Sequence, residues 1–241
     1  MNKDIYERYT STHMMAAENH EAILEWSRQY FRKTILPHLP MDRQVSILEC
    51  GSGYGRNIKA LREAGYTNVT GVDFSEEQVR YAREELALDG VHCADAAAFL
   101  RESPARFDVV LLLDVMEHLE VDQTIEWLQL IRSKLTPSGT LVIQVPNALC
   151  PMNLYRYLDV THYRSYTDRS MAQTLRLAGF SDMTFLSIPP LAAGLGGRVR
   201  NIVWRTVLNP AIRAFMWACH GHIAGKIFTG NLLAIVKRDR G

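Results

Sequence analysis

Between residues 45 and 145 the chain alternates short apolar runs with stretches of helical periodicity, and that alternation leaves few folds open. Residues 45–50 (VSILEC), 68–73 (NVTGVD), 91–94, 107–113 (FDVVLLL) and 140–145 read as strands. A helix is expected over 56–64, with Gly65 where a C-terminal cap belongs. Another opens at Ser75, where Gln78 completes capping-box spacing, and runs to about Leu88. A third spans about 123–135, before a turn at 136–139. Such alternation predicts an α/β fold with a doubly wound, mostly parallel sheet. The run 107–113, apolar but for Asp108, belongs in its middle. Ligands of such sheets bind beyond the carboxyl ends of the strands, so the residues that matter should directly follow strands.

The flanks complete the outline. Residues 16–36 carry Ala22, Ile23, Trp26, Tyr30 and Ile35 near helical spacing, and Pro37 and Pro40 end that helix. Thr167 caps a helix ending near Gly179, and two last strands, at 182–188 and 232–236, bring the sheet to seven. The expected organisation is an N-terminal helical cap (1–40), a core (41–188), a helical insertion (189–230) and a last strand with a tail (231–241). Cys50, Cys93, Cys150 and Cys219 form no C-x-x-C pair and read as reduced thiols of a cytoplasmic protein. The N-terminus has no apolar run of the kind a secretory signal needs, and no stretch approaches the roughly 18 apolar residues of a span.

The chemistry-bearing residues fall where the fold predicts. The first strand ends in Glu49, followed by Gly51, Ser52, Gly53 and Gly55. Glycines at that spacing let the chain turn tightly and approach a ligand closely. Position 56 is Arg56, so the G-x-G-x-x-G of a dinucleotide loop is not met. The second strand ends in Asp73, whose carboxylate can accept two hydrogen bonds from a ribose diol. Asp95 follows the third strand, where it could meet an adenine amino group, and Asp114 follows the fourth.

In this order the motifs resemble the class I S-adenosylmethionine-dependent methyltransferases. ILECGSGYG is similar to their glycine motif, GVDFS to the ribose-binding motif, and CADAAAF to the adenine-binding segment. FDVVLLLDVMEHL and LTPSGTLVIQVPN resemble their fourth and fifth strands. The resemblance implies S-adenosyl-L-methionine as cofactor. It places Glu49, Gly51, Ser52, Gly53 and Gly55 at its methionine part and Asp73 at the ribose. Phe74, Asp95 and Ala96 fall at the adenine, and Leu113 and Asp114 near the sulfonium.

A hydroxyl acceptor benefits from a general base, and two histidines are placed for it. His118 follows the fourth strand, and His162 lies in DVTHYRSYT after the fifth. Glu117 reads as an acid at a helix start. No metal site is expected, since the close pair His220 and His222 has no acidic neighbour. DVME after the fourth strand, where a base-flipping DNA enzyme often carries an N-P-P-Y-like motif, disfavours DNA as substrate, and other nucleic acid is a minor reading.

DVMEHL, VPN and THYRSYT resemble, more loosely, methyltransferases acting on bacterial surface polysaccharides. The acceptor expected first is therefore a sugar hydroxyl of a glycan or its precursor. An isoprenoid quinone or other small metabolite is the alternative, and a non-catalytic cofactor-binding partner protein is a third reading.

The formal net charge of +1 hides an uneven distribution. From Met183 to Arg238 there is no Asp or Glu, while Arg198, Arg200, Arg205, Arg213, Lys226, Lys237 and Arg238 are all basic. Two helical stretches are expected within 189–230. The first has Arg198, Asn201 and Arg205 on one face and Val199, Ile202 and Val203 opposite. The second opens at Asn209-Pro210 and ends at Gly221. With Trp204, Phe215, Trp217 and Phe228, the insertion reads either as a cover packed on the sheet or as an element touching an anionic membrane surface at the inner face.

Overall fold

The computed structural model describes residues 20–189, 191, 194–221 and 226–238. The strands are β1 (Ile47–Cys50), β2 (Val69–Asp73), β3 (Val91–Cys93), β4 (Phe107–Leu113), β5 (Leu135–Pro146), β6 (Asp182–Ser187) and β7 (Asn231–Lys237). They form one sheet in the order β3-β2-β1-β4-β5-β7-β6. The first five pair in parallel, and β7 runs antiparallel between β5 and β6. The sequence-based expectation of a seven-stranded, mostly parallel sheet is met.

The period of a strand sorts its side chains between two cores. On β4, Val110 and Leu112 enter one apolar cluster, with Leu128, Ile131, Met171 and Leu175. Val109, Leu111 and Leu113 enter the cluster on the opposite face, with Phe31, Ile35, Ile58 and Leu61. A strand buried on both faces must be apolar, which explains why residues 109–113 are apolar without a break, while Asp108 sits at the half-buried start of the strand. The helix His20–Thr34 packs against Arg56–Glu63, and Phe31 and Ile35 carry it into the second core. Residues 1–19 and 239–241, with the expected start of the first helix, and His222 lie outside the described residues.

Three expectations need correction. A helix, Ala96–Glu102, follows β3. Its run of alanines lacks the polar–apolar contrast that marks an amphipathic helix. The signal was Asp95, whose Oδ1 accepts the N–H of Ala98 at 2.9 Å as an N-cap. The turn at 136–139 is absorbed into β5: Leu135 pairs with Phe107, and the register shifts before Thr140 pairs with Val109.

The insertion is one helical run rather than two. Gly194–Val203, a π turn at Trp204–Leu208 and Asn209–His220 follow without a break, and Gly221 (φ 68°) ends them. Asn209 is therefore no cap; its N–H bonds the carbonyl of Trp204 in the widened turn. Pro210 explains the widening. Inside a regular helix its ring would meet the carbonyl four residues back, and its missing N–H would orphan that carbonyl.

The run also does not pack on the sheet. Gly197 is the one buried residue in it, and Phe215 and Trp217 are 65% and 63% exposed. Phe228, expected on the same surface, is instead buried.

Candidate active site

Two cavities meet beyond the carboxyl ends of β1, β2, β4 and β5. The smaller, about 170 Å³, is bounded by the glycine loop after β1, the end of β2, the turn after β3 and the turn after β4. The larger, about 960 Å³, lies between the helix His20–Thr34, the crossover after β5 and the start of the long helical run. Arg56, Asn57, Leu113, Asp114 and His118 line both and form the wall between them.

The smaller cavity gathers most of the residues singled out from sequence: Gly51, Ser52, Gly53, Asp73, Phe74, Asp95, Ala96, Leu113 and Asp114. The glycines are required by shape. Gly51 has φ 74°, and a Cβ there would lie 2.6 Å from Cγ2 of Val115; one on Gly53 (φ 54°) would lie 2.8 Å from Oε1 of Gln78. Asp73 braces this loop, because Oδ2 accepts the N–H of Gly53 at 2.8 Å and Oδ1 that of Ser75 at 2.9 Å. Each oxygen keeps acceptor capacity for a ligand diol. Burial raises the pKa of Asp73, and the backbone N–H groups pull it back.

Ser52 Oγ is buried beside the loop without a hydrogen-bond partner. A loop with no room for side chains, an orphaned hydroxyl and a carboxylate with acceptor capacity fit a small ligand carrying a ribose.

Two predicted residues do not line the cavity. Gly55 (φ 85°) begins the helix Arg56–Glu63. Glu49 is fully buried, with Oε1 accepting from Asn57 at 2.6 Å and Oε2 unpartnered. Burial pushes its pKa up to about 8.

Asp114 adopts φ 59°, a left-handed conformation costing a residue with a side chain about 1–3 kcal/mol. Gln144 on β5 holds it there, donating from Nε2 to both carboxylate oxygens at 2.9 Å. Tyr30 donates to Oε1 of Gln144 at 2.6 Å. The first helix thereby orders the turn after β4.

The histidines, 44 positions apart, come together with ring centroids 4.7 Å apart. His118 Nδ1 lies 2.9 Å from Oγ1 of Thr161, whose hydroxyl donates to Oδ1 of Asp159 at 2.6 Å. The single hydroxyl proton is used on the carboxylate, so Nδ1 must be the donor toward Thr161 and Nε2 of neutral His118 carries the lone pair. His162 donates from Nδ1 to the carbonyl of Tyr155 at 2.9 Å, which turns Nε2 toward Glu117 Oε1 (3.9 Å) and Asp159 Oδ2 (4.0 Å). His162 lines the larger cavity alone, whereas His118 lines both.

Glu117 corrects the sequence reading. It does stand in the short helical turn Met116–His118 after β4, but as a fully buried carboxyl with no hydrogen-bond partner on either oxygen. Burial, with Asp114 and Asp159 nearby, raises its pKa well above the usual carboxylate range. Ligand atoms of Glu117, His118 and His162 fall within 4.8 Å of one another, the one such convergence among the described residues. Neighbouring Glu117 and His118 gave no metal signal, because the third member comes from the distant crossover. Tyr30, Gln144, Asp159 and Thr161 were missed as site residues for the same reason.

Compared with known families, residues 17–184 match the one described as "Methyltransferase domain". N-terminal Xaa-Pro-Lys N-methyltransferase 1 of Danio rerio is 32% identical over 102 residues, 40% of this chain and 45% of that protein. Ubiquinone biosynthesis O-methyltransferase of Caulobacter sp. (strain K31) is 32% identical over 107 residues, 43% of this chain and 41% of that protein. The chain spans about half the length of the curated relatives it matches. Among solved structures, a SAM dependent methyltransferase from Archaeoglobus fulgidus shares the fold. Its TM-score is 0.65 at 20% identity, covering 98% of this chain and 100% of that one.

Proposed function

This chain belongs to the methyltransferase-domain family, and from that premise we propose that it transfers a methyl group from S-adenosylmethionine to a hydroxyl of an acceptor seated in the larger cavity. One observation carries the hydroxyl reading: His118 stands in the wall shared by both cavities, with its Nδ1 proton directed to Thr161, which makes Nε2 the acceptor nitrogen of the neutral ring.

S-adenosylmethionine, when bound, supplies an electrophilic methyl carbon on a sulfur that leaves as a neutral thioether. The chain's own residues bind, orient and accept the proton. Gly51, Ser52 and Gly53 hold the methionine end and Asp73 the ribose. Phe74, Asp95 and Ala96 border the adenine, and Leu113 and Asp114 the sulfonium. His118 Nε2 removes the hydroxyl proton as the oxygen forms its new bond to carbon. Asp159, through Thr161, stabilises the resulting imidazolium, and His162 fixes the ring from the other side. Positioning and a general base together suffice for such a displacement.

The walls of the larger cavity narrow the acceptor. Trp26, Phe31, Leu158, Ile188, Trp204 and Phe228 are apolar, while Glu117, His118, Asp159 and His162 bring a polar cluster to the same cavity. That division suits a hydroxyl carried on an apolar body. A sugar of a glycan precursor fits when it rides on a lipid, and an isoprenoid quinone fits directly. The reading is tested by incubating the chain with labelled S-adenosylmethionine and a panel of lipid-linked sugars, prenylated catechols, free sugars and amine-bearing peptides. Mass spectrometry should find a gain of one methyl on a hydroxyl compound. A gain on amines alone would remove the base from the mechanism, and tight cofactor binding with no turnover would favour a non-catalytic partner.

A second reading rests on Glu117. In place of a proton, the carboxyl together with His118 and His162 would hold a divalent cation that polarises the acceptor oxygen. Turnover lost to a chelator while cofactor binding persists selects this reading; turnover indifferent to the chelator removes it.

A further inference from the structure

The long helical run 194–220 is amphipathic in the wrong sense for a protein surface. Leu195, Val199, Ile202, Val203 and Val207 recur at helical spacing along it and are 40–80% exposed, followed by Phe215 and Trp217. Its partly buried residues, Asn201, Trp204, Asn209, Ile212, Arg213 and Met216, mark the opposite side. Arg198 and Arg205, three and two positions from the exposed Leu195 and Val203, flank the apolar stripe and are themselves exposed. No acidic residue occurs from Met183 to Arg238. At about 1.5 Å per residue the run is roughly 40 Å long, yet no helix among the described residues is apolar enough to cross a membrane.

We propose that this helical face lies in the plane of an anionic bilayer surface, with its apolar stripe in the headgroup region and its arginines on lipid phosphates. An apolar stripe, cationic flanks and the absence of carboxylates are what such a surface selects. A second copy of the chain is the weaker occupant, because a two-fold pairing of the same face would bring the arginines of two faces without carboxylates together.

The arm also borders the larger cavity. Arg200 and Trp204 line it, as do Tyr155 and Leu158 of the crossover after β5. The crossover carries exposed apolar residues too, with Met152 at 95% and Val160 at 96%. Resting on the methyl-transfer reading, the inference is that the acceptor is an amphiphile taken from the bilayer, polar end toward His118.

The test is co-sedimentation of the full chain with phosphatidylcholine vesicles, with and without phosphatidylglycerol, at low and high salt. The chain should pellet with the anionic vesicles at low salt and much less at high salt. The double variant Arg198→Glu/Arg205→Glu, which touches neither cavity, should lower the partition coefficient about tenfold or more while circular dichroism and S-adenosylmethionine binding are unchanged. No pelleting with anionic vesicles at low salt overturns the proposal. So does light scattering that shows a dimer dissociated by Val207→Glu. Either failure leaves cofactor binding, and with it the reaction reading, intact.

Discussion

Asp73 braces the glycine loop with one carboxylate, and the proposed function gives the same carboxylate the ribose. It was legible in the sequence because it ends a strand beside a glycine loop, and the structure adds its bond to Gly53. Asp73→Ala should weaken S-adenosylmethionine and its demethylated product alike, by about 1.5–3 kcal/mol, read as the ratio of dissociation constants. The structure separates the two histidines, His118 lining both cavities and His162 the larger alone, whereas in the sequence both merely follow strands. His118→Ala should lower turnover about 10²–10⁴-fold with cofactor affinity retained. His162→Ala, which removes the neighbour of the proposed base, should lower it less. Equal losses in the two variants would place the base on neither alone. Thr161 carried no sequence signal, because its importance comes from contacts with His118, 43 residues away, and with Asp159. Thr161→Val should shift the pH–rate profile, since the partner that fixes the His118 tautomer is lost.

At the level of elements, strands were read well and helix junctions poorly. Strand signals are local: the apolar run on β4 follows from burial on both faces. The helix Ala96–Glu102 escaped notice because Asp95 was read as a ligand contact and not as a cap. Its geometry makes it a cap through Oδ1. Asp95→Ala should therefore cost about 1 kcal/mol of stability in denaturant unfolding even without cofactor. A purely ligand-facing Asp95 would leave the apo protein's stability unchanged. The two-helix reading of 194–220 failed at Pro210. Asn-Pro is a good helix start in isolation, but a π turn accommodates the same proline within a continuing helix.

For the whole molecule, the carboxyl ends of the central strands form an acidic buried centre. Glu49, Asp73, Asp114 and Glu117 all have raised pKa values, with burial as the first cause in each. The folded chain then holds protons that the unfolded chain releases near pH 4. Stability should be fullest below that pH as far as these groups are concerned, and should fall as pH rises, through about 8 for Glu49. Thermal unfolding from pH 5 to 9 should show the decline, and Glu49→Gln should flatten it; an unchanged slope would mean that Glu49 is charged in the folded state. The sheet and the cofactor loop could be read from sequence because each is written in consecutive residues. The acceptor cavity could not, because its walls come from the first helix, the crossover and the helical arm.

Everything proposed for the site depends on the glycine loop receiving S-adenosylmethionine, and calorimetric titration of the full chain with that compound is the most direct measurement. The account predicts saturable binding at one site, abolished in a folded Gly51→Val variant whose side chain would run into Val115. Absence of binding to the wild-type chain, or undiminished binding to the variant, would contradict it.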